Sequence, residues 1–306
     1  MEKILIEESK KSEYIVEQEK LQELEVAKEK TDARVEILQR HKILFFSCVE
    51  SGSYEKVIYN SENIPQELKD KIKNGITAND SKWFEKGLGW DNTENRERLQ
   101  TVNAISEIHN YPEMGEISGI IIGGSPHMVG EDEEWMKTLQ EYIRIAANKN
   151  IPLLGVCFGH QMIAKAFGGK VEKTPQREFG TVQIDLTDEG AKDELFRDLP
   201  TRLDVLMSHS DSVSEIDTET IKSLALNKHN INQVIKVGDN VRGIQFHPEL
   251  TKEILEAVAI IRAEVIKNEG LNIEQIVRNL KNAPEAQRVL KNFDKYFVFK
   301  YSQSKK

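Results

Sequence analysis

The segment Gly155-Val156-Cys157-Phe158-Gly159-His160-Gln161 sets one of the chain's two cysteines where an apolar run, IPLLGV, passes directly into a helical pattern, CFGHQMIAKAFGG. A nucleophile on such a strand-to-helix bend is held exposed above the sheet edge. Glycines two residues before and two after it leave room for the turn and for close approach of helix and strand. The unpaired N–H groups and dipole of a helix N-terminus favour the thiolate, which is the attacking form. A cysteine nucleophile needs a base, and the base needs an orienting group. VRGIQFHPEL supplies both, because His247 and Glu249 are two residues apart and point the same way in extended backbone, with Pro248 stiffening the step between them. Gly123-Gly124-Ser125-Pro126 ends another apolar run, ISGIII, and backbone N–H groups in such a turn can face a developing oxyanion. The expected site therefore has Cys157 as nucleophile, His247 as base, Glu249 as the carboxylate that orients it, and the N–H groups of Gly124 and Phe158 as the oxyanion hole. Cys48, within LFFSCV, is expected to be inert packing, and His160 a packing residue rather than a second base.

The elements that must position these residues are short. KILFFSCV, ISGIII and IPLLGV are apolar runs of buried-strand type. EDEEWMKTLQEYIRIAANKN and CFGHQMIAKAFGG lie between and after them with helical periodicity, the first with an acidic opening turn and the second closed by glycine. Strand and helix in alternation build a parallel sheet covered on both faces. The expected fold is α/β, an open, mostly parallel twisted sheet of flavodoxin-like type with helices on both faces, plus an N-terminal helical extension. TVQIDL, LDVLMSH, SLALN, QVIKV and VRGIQFH read as further short strands, and residues 251–281 as helical. Residues 51–115 read as polar and loop-rich, and the closing YFVFKYSQSKK as an aromatic stretch tucked onto the body with a frayed basic tip. Three parts are expected: a charged helical extension over 1–40, a catalytic domain over 41–270, and a helical tail over 271–306. Residues 1–40 hold no Gly or Pro and carry Leu21, Leu24, Val35 and Leu38 at roughly helical spacing with a broken heptad. That suits either a solvated extension or a helix that packs on a partner or a second copy.

The bulk numbers narrow the classes. Asp and Glu outnumber Lys and Arg by 51 to 42, for a net charge of −9, which argues against nucleic acid or an anionic membrane as the main partner. Two widely separated cysteines make neither a disulfide framework nor a zinc cluster, and suit a reducing compartment. No run has the length of an apolar span, and the charged start MEKILIEESKK has no secretory h-region, so the expected location is cytoplasmic. No metal and no cofactor are expected.

At these motifs the sequence resembles the class I (triad) glutamine amidotransferases. Their G-x-C-x-G-x-Q pattern is matched in full by residues 155–161, and their H-x-E by His247-Pro248-Glu249. Within that family the chain is similar to the glutaminase domain of GMP synthase and its stand-alone relatives, through Arg177-Glu178-Phe179-Gly180, the run from Ser208 to Val213, and the run from Gly243 to Glu249. The resemblance is good over about 116–262 and poor over 42–115. It implies a γ-glutamyl thioester on the cysteine that water releases, ammonia as first product, and contact of Gln161 with the glutamyl moiety. Gly123, in the same turn as Gly124, is also expected to be a substrate-binding residue. His209 and Asp211 either line the pocket, meeting the substrate's α-amino group, or hydrogen-bond a turn between strands. The sequence carries no downstream Ser-Gly-Gly phosphate loop of an ATP-pyrophosphatase domain, so synthesis of GMP by these residues alone is not expected.

Three functions are consistent with this reading. One is a free-standing thiol hydrolase of glutamine or γ-glutamyl amides and peptides, a small-molecule substrate class that the stand-alone branch also takes. Another is a glutaminase component that delivers ammonia to a separate synthetase, with residues 1–40 as a docking or self-association element. The third is a non-enzymatic binding or regulatory protein on the same fold, against which the intact triad argues.

Overall fold

The computed structural model describes residue 28 and residues 41–305, apart from 51–52, 76–78 and 93–94. The helical extension expected over 1–40 lies outside the described residues. Residues His41–Lys306 make up one compact unit.

Strand β1 (Ile43–Ser47) is buried at every position, as β3 (Gly119–Ile122) and β4 (Leu153–Val156) are. Strands buried on both faces read as unbroken apolar runs, so these three were legible without alternation. With β2 (Leu99–Asn103) at the edge and β9 (Val241–Ile244) on the far side of β4, they form the parallel half of a nine-stranded sheet in the order β2-β1-β3-β4-β9-β8-β7-β5-β6. The other four pairings, through β8 (Val234–Val237), β7 (Ile221–Leu226), β5 (Lys170–Leu186) and β6 (Arg202–Glu215), are antiparallel. The α/β class holds. The sheet is mixed, because β5 to β9 are joined by connections without a crossover helix, and neighbours joined that way run antiparallel.

Helices cover both faces. Helix α4 (Glu134–Asn148) lays Trp135, Met136, Leu139 and Ile143 with α5 (Phe158–Ala166) against Leu44, Phe46, Ile120 and Ile122. The opposite face, carrying Phe45, Ile121 and Leu154, is covered by elements from two distant stretches.

The first of these stretches departs from expectation. Within this polar stretch stand three helices and the edge strand: α1 (Ser53–Asn60), α2 (Gln66–Gly75) and α3 (Asp80–Leu88) precede β2. Each helix is at most ten residues long, below the length at which a helix holds in water alone, so tertiary burial decides its existence. Ile58, Ile64, Leu68 and Ile72 close over Ala257 of α6 (Lys252–Ile261), and Trp83, Phe84 and Leu88 enter the main core. Helix α3 is capped by the Asn79 side chain, which accepts from Lys82 N–H, and is ended by Gly89 at φ 76°.

The second stretch is the C-terminal one. After α7 (Ala263–Asn268) and α8 (Ile273–Asn279), α9 (Pro284–Phe293) buries Val289, Leu290 and Phe293 in the same core, and a π-helical turn at Asp294–Val298 leads into α10 (Phe299–Ser304). The basic tip is tied down at Lys305, whose Nζ donates to the carbonyls of Gly115 (3.1 Å) and Ile117 (2.5 Å).

Candidate active site

Three parallel neighbours, β3, β4 and β9, end on one edge of the sheet, with Ile122 in register with Gly155 and Val156 with Ile244. Residues just past each carboxyl end are therefore delivered to the same place. Gly123-Gly124 comes after β3, Cys157 after β4, and His247 after β9.

Cys157 sits at φ 53°, ψ −101°, a backbone that residues other than glycine rarely adopt, and its N–H extends the ladder by donating to Ile244 carbonyl at 2.8 Å. The flanking glycines are sterically required. A Cβ on Gly155 would lie 2.3 Å from the Gly159 carbonyl oxygen, and one on Gly159 would lie 2.4 Å from that of Ile122. Gly243 is equally constrained, with Nδ1 of His160 at 2.7 Å from its virtual Cβ. His160 is wholly buried beneath it, and burial pushes its pKa down to about 3, so it is neutral packing. Cys48 is also fully buried, and burial pushes its thiol up, away from the reactive form.

His247 is anchored by its own N–H to the Leu206 carbonyl at 2.9 Å. Its Nδ1 meets Glu249 Oε1 at 2.6 Å, and its ring and the Cys157 side chain wall the same cavity. Burial disfavours charge on this ring, but Glu249 and Cys157 outweigh it, and together they hold the imidazole well above its usual pKa of 6.5. Gly124 closes the group. A Cβ there would stand 3.0 Å from His247 Cε1 and 3.7 Å from Cys157 Cβ, so the loop runs directly past both. Ser125 holds that loop by donating its hydroxyl to Cys48 carbonyl at 2.6 Å. Phe158 opens α5, where the first N–H groups have no partner within the helix, and its ring lies 5.4 Å from that of Trp135.

Two cavities meet at Cys157 and share Ser125, Pro126, Ser208 and Arg262. The smaller one, about 80 Å³, is polar and runs along Phe158, Gln161, Arg177, His209, Ser210 and Asp211. Arg177 in its wall is paired with Glu269 through two contacts of 2.7 and 3.2 Å. The larger one, about 190 Å³, is walled by Tyr54, Trp83, Phe84, Leu250, Val258 and Ile261, and contains His247 and Glu249. Tyr54, Trp83, Phe84 and Arg262 were not legible as site residues. The Trp83-Phe84 pair inside a polar stretch is the one signal that could have pointed there.

Gly123 stands back from this group. It donates its N–H to Phe46 carbonyl at 3.0 Å, one more rung of the sheet, and is not in the wall of either cavity. Gln161 and Asp211 do approach Cys157, but partly as structure. Gln161 Nε2 donates to Asp211 carbonyl (2.7 Å) and to Gln245 Oε1 (3.2 Å). His209 is committed on both nitrogens, to the Asp211 carbonyl at 2.9 Å and to Glu178 Oε2 at 3.0 Å.

Glu178 faces His209 across the β5–β6 ladder and also accepts from Asn227 (2.5 Å) and Gln233 (2.8 Å). Burial raises its pKa, but the contact with His209 and the two amide donors reverse that and hold it below 4.5. A carboxylate depressed in this way contributes stability that is present above its unfolded pKa and lost as pH falls through the folded one. Glu178→Gln is expected to destabilise by about 1–3 kcal/mol near neutral pH, with the difference from the parent shrinking below pH 4.5. Denaturant unfolding at pH 7 and pH 4 measures both.

Among the described residues, His127, Glu131 and Glu133 are the one group spaced to hold a metal, with ligand atoms within 4.8 Å of one another, though Trp135 Nε1 already donates to Glu133 at 2.6 Å.

Comparison with known proteins agrees with this architecture. The chain is similar to the glutamine-hydrolyzing GMP synthase of Borreliella burgdorferi, 35% identical over 193 residues that cover 61% of the chain and 35% of that protein. It is also similar to a protein of Pyrococcus abyssi that is one subunit of a glutamine-hydrolyzing GMP synthase, 38% identical over 136 residues that cover 44% of the chain and 66% of that protein. The chain thus spans about a third of the length of the full GMP synthases it matches. The fold is shared with the solved structures of a glutamine amidotransferase from Thermotoga maritima (TM-score 0.59, 16% identity, 84% of this chain and 98% of that one) and of another from Methylobacillus flagellatus (0.56, 20%, 86% and 93%). The family model for glutamine amidotransferase class-I matches residues 93–267, more than half of the chain. This protein belongs to the class I glutamine amidotransferases.

Proposed function

We propose that the protein hydrolyses glutamine or a γ-glutamyl amide through a thioester on Cys157. The observation that carries this reading is the convergence of Cys157, the His247 ring and the Glu249 carboxylate in the wall of one cleft, with His247 hydrogen-bonded to Glu249 and both His247 and Cys157 against Gly124. Glu249 fixes the proton on Nδ1 and leaves Nε2 for the sulfur. His247 takes the thiol proton, and the thiolate attacks the γ-carbonyl. The N–H groups of Gly124 and Phe158 donate to the oxyanion, each contributing roughly 3 kcal/mol in the transition state. His247 then protonates the departing nitrogen and activates the water that cleaves the thioester. The polar cavity along Gln161, Arg177 and Asp211 suits the charged end of a glutamyl group.

A second reading is favoured by the GMP synthase relatives, one of which is a single subunit of such an enzyme. In it the chain is a glutaminase that delivers ammonia to a synthetase partner, and docking through residues 1–40 belongs to this reading. Purified protein supplied with glutamine and several γ-glutamyl peptides, with released glutamate and ammonia measured, tests both. Glutamate release by the protein alone supports the first reading, and release that rises on adding an ATP-dependent synthetase supports the second. No release from any substrate under either condition, with no covalent adduct from a glutamine-analogue electrophile, overturns the thioester chemistry.

A further inference from the structure

The two cavities at Cys157 differ in chemistry, and the position of His247 tells them apart. A general acid must reach the nitrogen that leaves, so the leaving group occupies the side of the sulfur on which the imidazole lies. His247 and Glu249 wall the larger cavity and are absent from the polar one, while Phe158 and Gln161 wall the polar one and are absent from the larger. The acyl half therefore belongs with Gln161 and Asp211, and the amine half with Tyr54, Trp83, Phe84, Leu250, Val258 and Ile261. Ammonia is the size of a water molecule, which needs only about 10–15 Å³ of such space. The cavity has about 190 Å³ and a largely aromatic and aliphatic wall.

Two charged groups also face it. Asp80 is already engaged by the Ser47 hydroxyl at 2.5 Å and by Ser81 N–H at 2.9 Å, which leaves it less free to meet a cationic amine. Arg262 lies in the walls of both cavities, where the α-carboxylate of an amino-acid leaving group can meet it. Resting on the thioester reading above, we infer that the substrate is a γ-glutamyl peptide whose second residue is a bulky apolar amino acid. In the first half-reaction the γ-carbon to nitrogen bond breaks and the carbon–sulfur bond forms, and the proton taken from Cys157 passes through His247 to the departing amine. That step releases the free apolar amino acid; in the second, water replaces sulfur on the γ-carbon and returns a proton to the sulfur, giving glutamate and the free Cys157 thiol.

The test compares kcat/KM for γ-glutamylphenylalanine, γ-glutamylleucine, γ-glutamylglycine, γ-glutamylphenethylamide, γ-glutamylputrescine and glutamine. The phenylalanine and leucine peptides should exceed glycine and glutamine by roughly 10- to 200-fold, the discrimination that apolar pockets reach. The phenethylamide, which lacks the carboxylate, should fall below the phenylalanine peptide. Val57 lies in the same cavity wall and is 45% exposed, so the fold can accept a substitution there. Val57→Asp should reduce the phenylalanine-to-glycine ratio about tenfold, a ratio that a general loss of folded protein cannot move. Preference for putrescine or glutamine, or an unchanged ratio in Val57→Asp, overturns the inference. If Cys157 still forms a covalent adduct in that event, only the leaving-group assignment falls. If it forms none and no substrate is cleaved, the thioester reading fails with it.

Discussion

Cys157→Ala is expected to abolish turnover, with kcat down by on the order of 10⁴-fold or more, and to leave the fold intact. The size of the effect follows from the absence of any substitute for the sulfur. Cys48 is the other cysteine, fully buried with its thiol pushed up, and it is in the wall of neither cavity. Alanine removes the sulfur but keeps the Cβ at the strained bend, so φ 53° is neither relieved nor worsened. Loss of activity with an unchanged melting temperature is the expected pairing. Mass spectrometry after incubation with a glutamine-analogue electrophile gives an independent readout, a single adduct on the peptide containing Cys157 in the parent and none in the variant. Retention of substantial parental hydrolysis would remove Cys157 from the chemistry.

Glu249→Gln should lower kcat/KM by about 10² to 10⁴-fold while leaving substrate affinity close to that of the parent. The carboxylate is 2.6 Å from Nδ1 of His247 and is almost wholly buried, so its charge acts on the ring with little solvent screening. Burial lowers the proton affinity of His247, whereas Glu249 and Cys157 raise it and prevail. Neutralising Glu249 removes one of the two opposing charges, so the alkaline limb of the pH–rate profile should move to lower pH. The same linkage acts on stability. A histidine whose folded pKa is raised contributes stability that is complete below its unfolded value near 6.5 and is lost as pH rises through the folded value. The parent should therefore lose more stability than Glu249→Gln on going from neutral to alkaline pH. A variant with parental pH limbs would show that Glu249 does not govern the imidazole.

What was readable in the sequence was local. The strand-to-helix bend at Cys157 leaves a mark because its sterics act over a few residues, and the 2.3 and 2.4 Å approaches at Gly155 and Gly159 tolerate no side chain. Strands β1, β3 and β4 were readable because burial on both faces requires continuous apolar runs. The pairing of His247 with Glu249 was readable because two residues of extended chain repeat the side-chain direction. Convergence of the three segments could be anticipated from parallel topology and the family motifs, but not measured.

The tertiary structure alone decided the rest. It made the sheet half antiparallel, through connections whose pairing no local pattern records. It set three helices and an edge strand within a stretch that reads as loop-rich, because helices this short owe their stability to what they bury and not to their own propensity. It withdrew Gly123 into the sheet and committed His209 to Glu178, since a backbone N–H or a ring nitrogen bonds whichever acceptor the fold sets beside it. It also set Tyr54, Trp83 and Val258, from three separate helices, around one cavity beside Cys157. A pocket wall assembled from residues so far apart along the chain has no periodicity to detect, and only packing brings it into being.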